Sequence, residues 1–299
     1  MSGLFKAAVS WPLENGVPAM ADQPQGDLGS PETSKNIWNF YRNQTRLLTE
    51  STTLVNKQES RLWGVVAALL LSVNETNGSL LWLARNRKAR DAYVLSRTVL
   101  ETIINTCFIL ANGPETAEKA WRHANQKAYR DLDRTVRVNE KVFRLKWTGR
   151  VDLAQHPELM EAIREYTSKK GREITSWTPE TVNQRIEAID KKYGNRATTS
   201  LQLALLAIYR HSSEISHGTL FGAMQSIGLL QPPGPPNNLE QMIIFRQKQV
   251  NMLCLMLGAS IDSLLWILGK ELGDESFAQK SSRAMSKLRE SPGNKLSGE

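Results

Sequence analysis

An arginine and a histidine stand seven residues apart in Ile208-Tyr209-Arg210-His211-Ser212-Ser213-Glu214-Ile215-Ser216-His217-Gly218. At 3.6 residues per turn, seven steps come to about 700°, about 20° short of two full turns. On a helix, Arg210 and His217 therefore share a face, with Ser213 between them. Imidazole can move a proton and guanidinium can hold phosphate oxygens, so the pair suits phosphodiester cleavage. Gly218 is placed to stop the helix, which would leave His217 at the negative end of the helix dipole.

The rise over seven residues is about 10.5 Å. Side chains lean toward the helix N-terminus, which carries Arg210 away from His217. One phosphate is hard to reach from both residues of one chain. Two such helices crossing antiparallel about a two-fold axis would bring Arg210 of one chain beside His217 of the other, so a homodimer is expected. Arg97 and Glu101 form an i, i+4 pair in an apolar stretch, and Glu101 could orient His217 as a carboxylate orients a catalytic imidazole. Both pairs also have structural readings. Arg210 and His217 could be a polar seam between helices, since buried polar groups are normally hydrogen-bonded without being functional. Arg97–Glu101 could be a surface ion pair worth roughly 0.2–0.5 kcal/mol.

A second pattern is electrostatic. His123, Lys127, Arg130, Arg134, Arg137, Lys141 and Arg144 recur at steps of 4, 3, 4, 3, 4 and 3. Read as one helix over 114–146, they make a single stripe of about 32 Å, matched to a nucleic-acid backbone. The alternative is a solvated face with Asp131, Asp133 and Glu140 nearby. Arg85, Arg87, Lys88 and Arg90 form a second cluster at a turn. The chain has no GxxxxGK[ST], GxGxxG, HExxH, CxxC or GxSxG sequence. No metal site and no cofactor are expected.

The elements that must position these residues read as helices. Apolar residues recur at helical spacing over 36–57, 60–85 and 88–111. Pro114, Pro157 and Pro179, each followed by Glu, open further helices over 114–146, 158–170 and 179–193. Another spans 199–217. Four prolines within Gln231–Asn238 precede a long helix over 239–272. No stretch alternates as a strand. The expected fold is all-α, a single helical-bundle domain over 34–272 with a disordered arm at 1–33 and a polar tail at 273–299.

Composition sets limits. The 299 residues are 40% hydrophobic and 23% charged, with 38 Lys+Arg against 30 Asp+Glu for a net charge of +8. That excludes wholesale disorder and permits an anionic partner. Cys107 and Cys254 sit in apolar runs, cannot build a disulfide framework, and suit a reducing cytoplasm. No export signal is apparent; the most apolar stretch, Val65–Leu71, is short, and Asp262 stands near the middle of the run Met252–Leu268, so no membrane span is expected. Met20 offers a second start of translation.

Arg210, a polar residue directly after it, and His217 resemble the R-x(4–6)-H signature of the HEPN superfamily, small all-helical proteins common in bacterial toxin and antiphage systems. The wider pattern, Arg97-Thr98-Val99-Leu100-Glu101 with Tyr209, Ser213 and His217, resembles a bacterial helical family of unknown function, loosely related to HEPN. The resemblance spans residues 60–265 in texture and a few positions in motif. It implies a metal-independent ribonuclease with Arg210 and His217 as catalytic residues at a dimer interface, supported by Arg97, Glu101, Tyr209 and Ser213, with RNA as partner. A toxin or defence role would add a neutralising or system protein, which the sequence does not name. The rival expectations are a non-catalytic helical module binding RNA or protein, and a purely structural bundle.

Overall fold

The structure, a computed structural model, describes residues 28–146, 152–230 and 234–291. Helix α1 (Pro31–Val55) opens with Ser30 as N-cap, its hydroxyl accepting from the Thr33 amide, and Pro31 in the first turn. These are the local choices that satisfy orphan amides and preset φ. Most of the expected arm over 1–33 lies outside the described residues, but its last part belongs to the fold, because Leu28 packs on the core.

Helices α2 (Arg61–Arg85) and α3 (Ala89–Asn112) follow. Asn77-Gly78 leaves α2 unbroken. Helix α3 packs against α2, against α10 (Leu239–Leu272), and against α6 (Val182–Tyr193). Val99, Leu100, Ile103, Ile104, Cys107 and Phe108 of α3 are all buried, as are Leu253, Cys254, Leu257, Ile261, Leu264 and Leu265 of α10. Each such side chain contributes about 1.5–3 kcal/mol by leaving water. Burial pushes the Cys254 thiol up to about 12 and the Cys107 thiol still higher, so both remain inert thiols. Gly258 allows α1 to approach α10 closely, since a Cβ there would stand 2.5 Å from the Phe40 ring. On length and composition alone, α2, α3 and α10 could each cross a membrane.

The expectation of one helix over 114–146 is corrected. Helix α4 (Pro114–Asp131) stops, and β1 (Asp133–Val138) pairs antiparallel with β2 (Lys141–Lys146). Asn139 turns the chain with φ 56°. Thr135, Val136, Val138 and Val142 are β-branched, which favours strands. Cross-strand partners share a face, so the register puts Arg134 and Lys141 on one side with Val136, Val138, Phe143 and Leu145. Arg137 and Arg144 lie on the other side. The cationic stripe is therefore divided between a helix and two faces of a hairpin.

Helix α5 (Pro157–Glu165) is shorter than the expected 158–170, because the chain turns at Tyr166 and Thr167 bridges to Glu173, and α6 begins after the Thr181 cap rather than at Pro179; Thr181 and Gln184 form a capping box. The region expected as one helix over 199–217 is three pieces: α7 (Asn195–Ala204), a π-helical segment Leu205–Tyr209, and α8 (Arg210–Ser216). Helix α9 (Leu220–Ser226) packs on α8. The expected polar tail holds a further helix, α11 (Ser276–Glu290), which packs on α1 and α10 and buries Ala278, Ser281 and Leu288.

Candidate functional site

The π-helical segment widens the backbone by one residue immediately before the motif, a distortion often found at functional sites. Arg210 is the first residue of α8 and His217 its C-cap, and both are exposed. The His217 amide donates to the Ser213 carbonyl at 3.0 Å, and Gly218 then takes φ 64° to end the helix. Ser213 is half-buried. The structure thus keeps Arg210 and His217 on one short exposed helix, about 10.5 Å apart along its axis.

Phe221, at the start of α9, organises the N-terminal end of that helix. Its ring stacks on His211 with centroids 6.2 Å apart and an interplanar angle of 9°, and the Arg210 guanidinium lies 5.8 Å from its centre. Tyr93 of α3 meets the His211 ring edge-on at 6.2 Å. His211 Nδ1 is buried without a hydrogen-bond partner. Burial, aided by the Arg210 charge, lowers the His211 pKa and favours its neutral form. Gly222 makes this arrangement possible, because a Cβ there would stand 2.5 Å from the Glu214 carbonyl oxygen. The Thr219 hydroxyl caps α9 by accepting from the Gly222 amide. His211 and Phe221 were not singled out in the sequence; only their proximity in the fold gives them a role.

The four supporting residues divide. Arg97 Nε donates to Glu101 at 2.9 Å, and its Nη2 donates to the Tyr209 hydroxyl at 3.2 Å. The same guanidinium lies 4.6 Å from the centre of the Tyr209 ring. Arg97, Glu101 and Tyr209 therefore form one cluster joining α3 to the π-helical segment. Arg185 of α6 extends it by donating to Asn105 Oδ1 at 2.5 Å. Glu101 is bound to Arg97 in the i, i+4 ion pair, the structural one of the two readings the sequence left open. Ser213 stands apart, one turn before His217.

The nucleic-acid candidates also divide. Arg130 donates to Gln126 at 2.6 Å and to Thr167 at 2.6 Å, tying α4 to the segment after α5. Arg134 pairs with Asp131, and Arg144 with Asp133. Lys127, Arg137 and Lys141 are exposed. Among the described residues, no group of three or more His, Cys, Asp or Glu is placed to hold a metal ion.

Exposed apolar side chains flank the motif along the chain. Leu203 and Leu206 before it, and Leu220 and Phe221 after it, are exposed, Leu206 by 77% and Leu220 by 76%. Large exposed apolar patches mark interaction sites in soluble proteins. No curated protein and no solved structure matches the chain. A family described only as of unknown function, DUF5677, matches residues 64–232, from α2 through α9 and including the whole motif. That is more than half of the chain, which therefore belongs to the DUF5677 family of unknown function.

Proposed function

We propose that this protein is a cytoplasmic, HEPN-like, metal-independent ribonuclease of a bacterial toxin or defence system, active as a homodimer. The observation that supports the reading is the placement of Arg210 and His217 on one α8 with exposed Leu206 and Leu220 on either side of the motif; both residues are exposed in one chain, so the groove a catalytic pair needs would have to be closed by a second copy. A pair that served only as a polar seam would be covered by a neighbouring helix. The separation along α8 calls for a second copy, and the exposed Leu206 and Leu220 supply apolar area for it to cover. Phe221 restrains the guanidinium, and α9 restrains Phe221. In the composite site, His217 of one chain takes the proton from a 2′-hydroxyl. That oxygen attacks the phosphorus, the P–O5′ bond breaks, the 5′-oxygen takes up the proton that the imidazolium gives back directly or through water, and Arg210 of the other chain stabilises the charge on the phosphorane oxygens. Products would be a 2′,3′-cyclic phosphate and a 5′-hydroxyl. Lys127, Arg137 and Lys141 would add charge for the backbone.

The test is cleavage of mixed-sequence RNA in the presence of EDTA. The wild type should give cyclic-phosphate ends, and His217→Ala should be slower by about 10²–10⁴-fold, the range of general acid–base catalysis. Equal cleavage by wild type and His217→Ala would overturn the assignment.

A further inference from the structure

A cationic groove lies between α1 and α11. A cavity of about 440 Å³ opens there, lined from α1 by Asn36, Asn39, Asn43 and Arg46, and from α11 by Lys280, Arg283 and Lys287. Phe40, Ala284 and Leu288 supply its apolar lining. The α1 polar residues recur at steps of 3, 4 and 3, and the α11 cations at steps of 3 and 4, so each set occupies one helical face. The two rows face each other across the groove.

The charge is one-sided, because no carboxylate lines the cavity. Arg46 pairs with Glu50 outside it. Lys280 lies 5.5 Å from the centre of the Phe277 ring and near Asp274. No ion pair joins Arg283 or Lys287 to a carboxylate among the described residues. Cations spaced at steps of 3 and 4 along α11 without carboxylate partners in the cavity pay in mutual repulsion, and an anion relieves it. From Lys280 to Lys287 the axis rises about 10.5 Å, room for about three phosphates at the roughly 3.4 Å spacing of a stacked strand. The asparagine amides both donate and accept, so they can bind phosphate oxygens, 2′-hydroxyls and base edges.

We infer that the α1–α11 groove binds the backbone of single-stranded RNA, through Lys280, Arg283 and Lys287 on phosphates with the asparagine row opposite. It is built from different elements than the motif, since α11 packs on α1 and α10 while α8 packs on α3 and α9. From the proposed function it takes only that the ligand is RNA, and the test separates binding from cleavage.

The test uses full-length His217→Ala protein, which holds RNA without cutting it, and a fluorescein-labelled single-stranded RNA titrated by anisotropy at several KCl concentrations. Adding K280Q, R283Q and K287Q should weaken binding at least about tenfold near 100 mM salt. It should also make the slope of log K against log[KCl] shallower by about 2, at roughly 0.7 per lost phosphate contact. All three positions are exposed, and circular dichroism checks the fold. Should the triple variant fail that check, Arg283→Gln alone should lower the slope by about 0.7 while Arg283→Lys preserves it. Binding within twofold of the parent with an unchanged slope would overturn the inference. So would full displacement of RNA by millimolar inorganic phosphate at constant ionic strength, which would mark a small-anion site. Binding to phosphatidylserine vesicles without binding to RNA would also overturn it.

Discussion

Two polar clusters in this bundle have opposite fates. At the junction of α1, α7, α10 and α11, Asp262 is buried and saturated. Arg196 donates to its Oδ2 at 2.7 Å, and the Ser281 hydroxyl donates to its Oδ1. Gln44 Nε2 donates in turn to the Ser281 carbonyl at 3.3 Å. On α8, Arg210 and His217 are exposed, and the Phe221 ring lies against Arg210. The first cluster spends its charge on holding helices together, as buried polar groups must. The second leaves its charge available to something outside the chain. Asp262 is the residue that interrupts the most apolar helix of the sequence, and the fold employs it as a fastener.

The comparison can be broken from either side. Asp262→Ala should have the largest effect on stability, a loss of about 2–3 kcal/mol in urea unfolding, because it leaves the buried Ser281 hydroxyl without its carboxylate acceptor and removes the partner of the exposed Arg196. A loss below 1 kcal/mol would mean the network is no fastener. Gly222→Ala should come next, at about 1–3 kcal/mol for overpacking, as α9 is pushed from the Glu214 carbonyl. It should also lower RNA cleavage, because Phe221 moves with α9, and unchanged cleavage would separate Phe221 from the site.

His211 gives a smaller, pH-dependent effect. Its folded pKa lies below the ordinary 6.5, so the unfolded chain takes up the proton first as pH falls. Its contribution is complete above about pH 6.5 and declines below that value. His123, lowered by burial and by Lys127, adds a decline of the same sign. The urea midpoint should therefore fall between pH 7 and pH 5, and His211→Phe should reduce that fall. An identical fall in the variant would remove His211 from the account.

Much of this fold was legible because its helices carry strong local signals. Pro114 and Pro157 open helices, and Gly218 closes one, whereas the start of α1 at Pro31 fell within the expected arm. The apolar rows of α3 and α10 repeat with helical period, and α10 spans the expected range. The hairpin was hidden because every residue in it is exposed. It lacks the half-buried alternation that reveals strands, and its cations also fit a helical spacing. Its β-branched residues on both sides of Asn139 were the available signal. Helix α11 was hidden by its polar composition, since a few small residues such as Ala278 and Ser281 carry its contacts. The shared face of Arg210 and His217 was readable from spacing. The Arg97–Glu101 ion pair was readable from its i, i+4 spacing, whereas the π-helical segment and the Phe221–His211 stack depend on tertiary contacts that no local pattern encodes.

The smallest stability effect should come from the motif itself. Arg210→Ala and His217→Ala should each stay within about 0.5 kcal/mol of wild type, as exposed substitutions do, while each abolishes cleavage. The most direct measurement mixes the two inactive proteins, allows chains to exchange, and assays RNA cleavage. In a heterodimer, one of the two composite sites regains both Arg210 and His217, so activity should return to about one quarter of wild type for equal chains under statistical pairing. Cleavage by a strictly monomeric wild type, or inactivity of the mixture despite demonstrated heterodimers, would contradict the composite site.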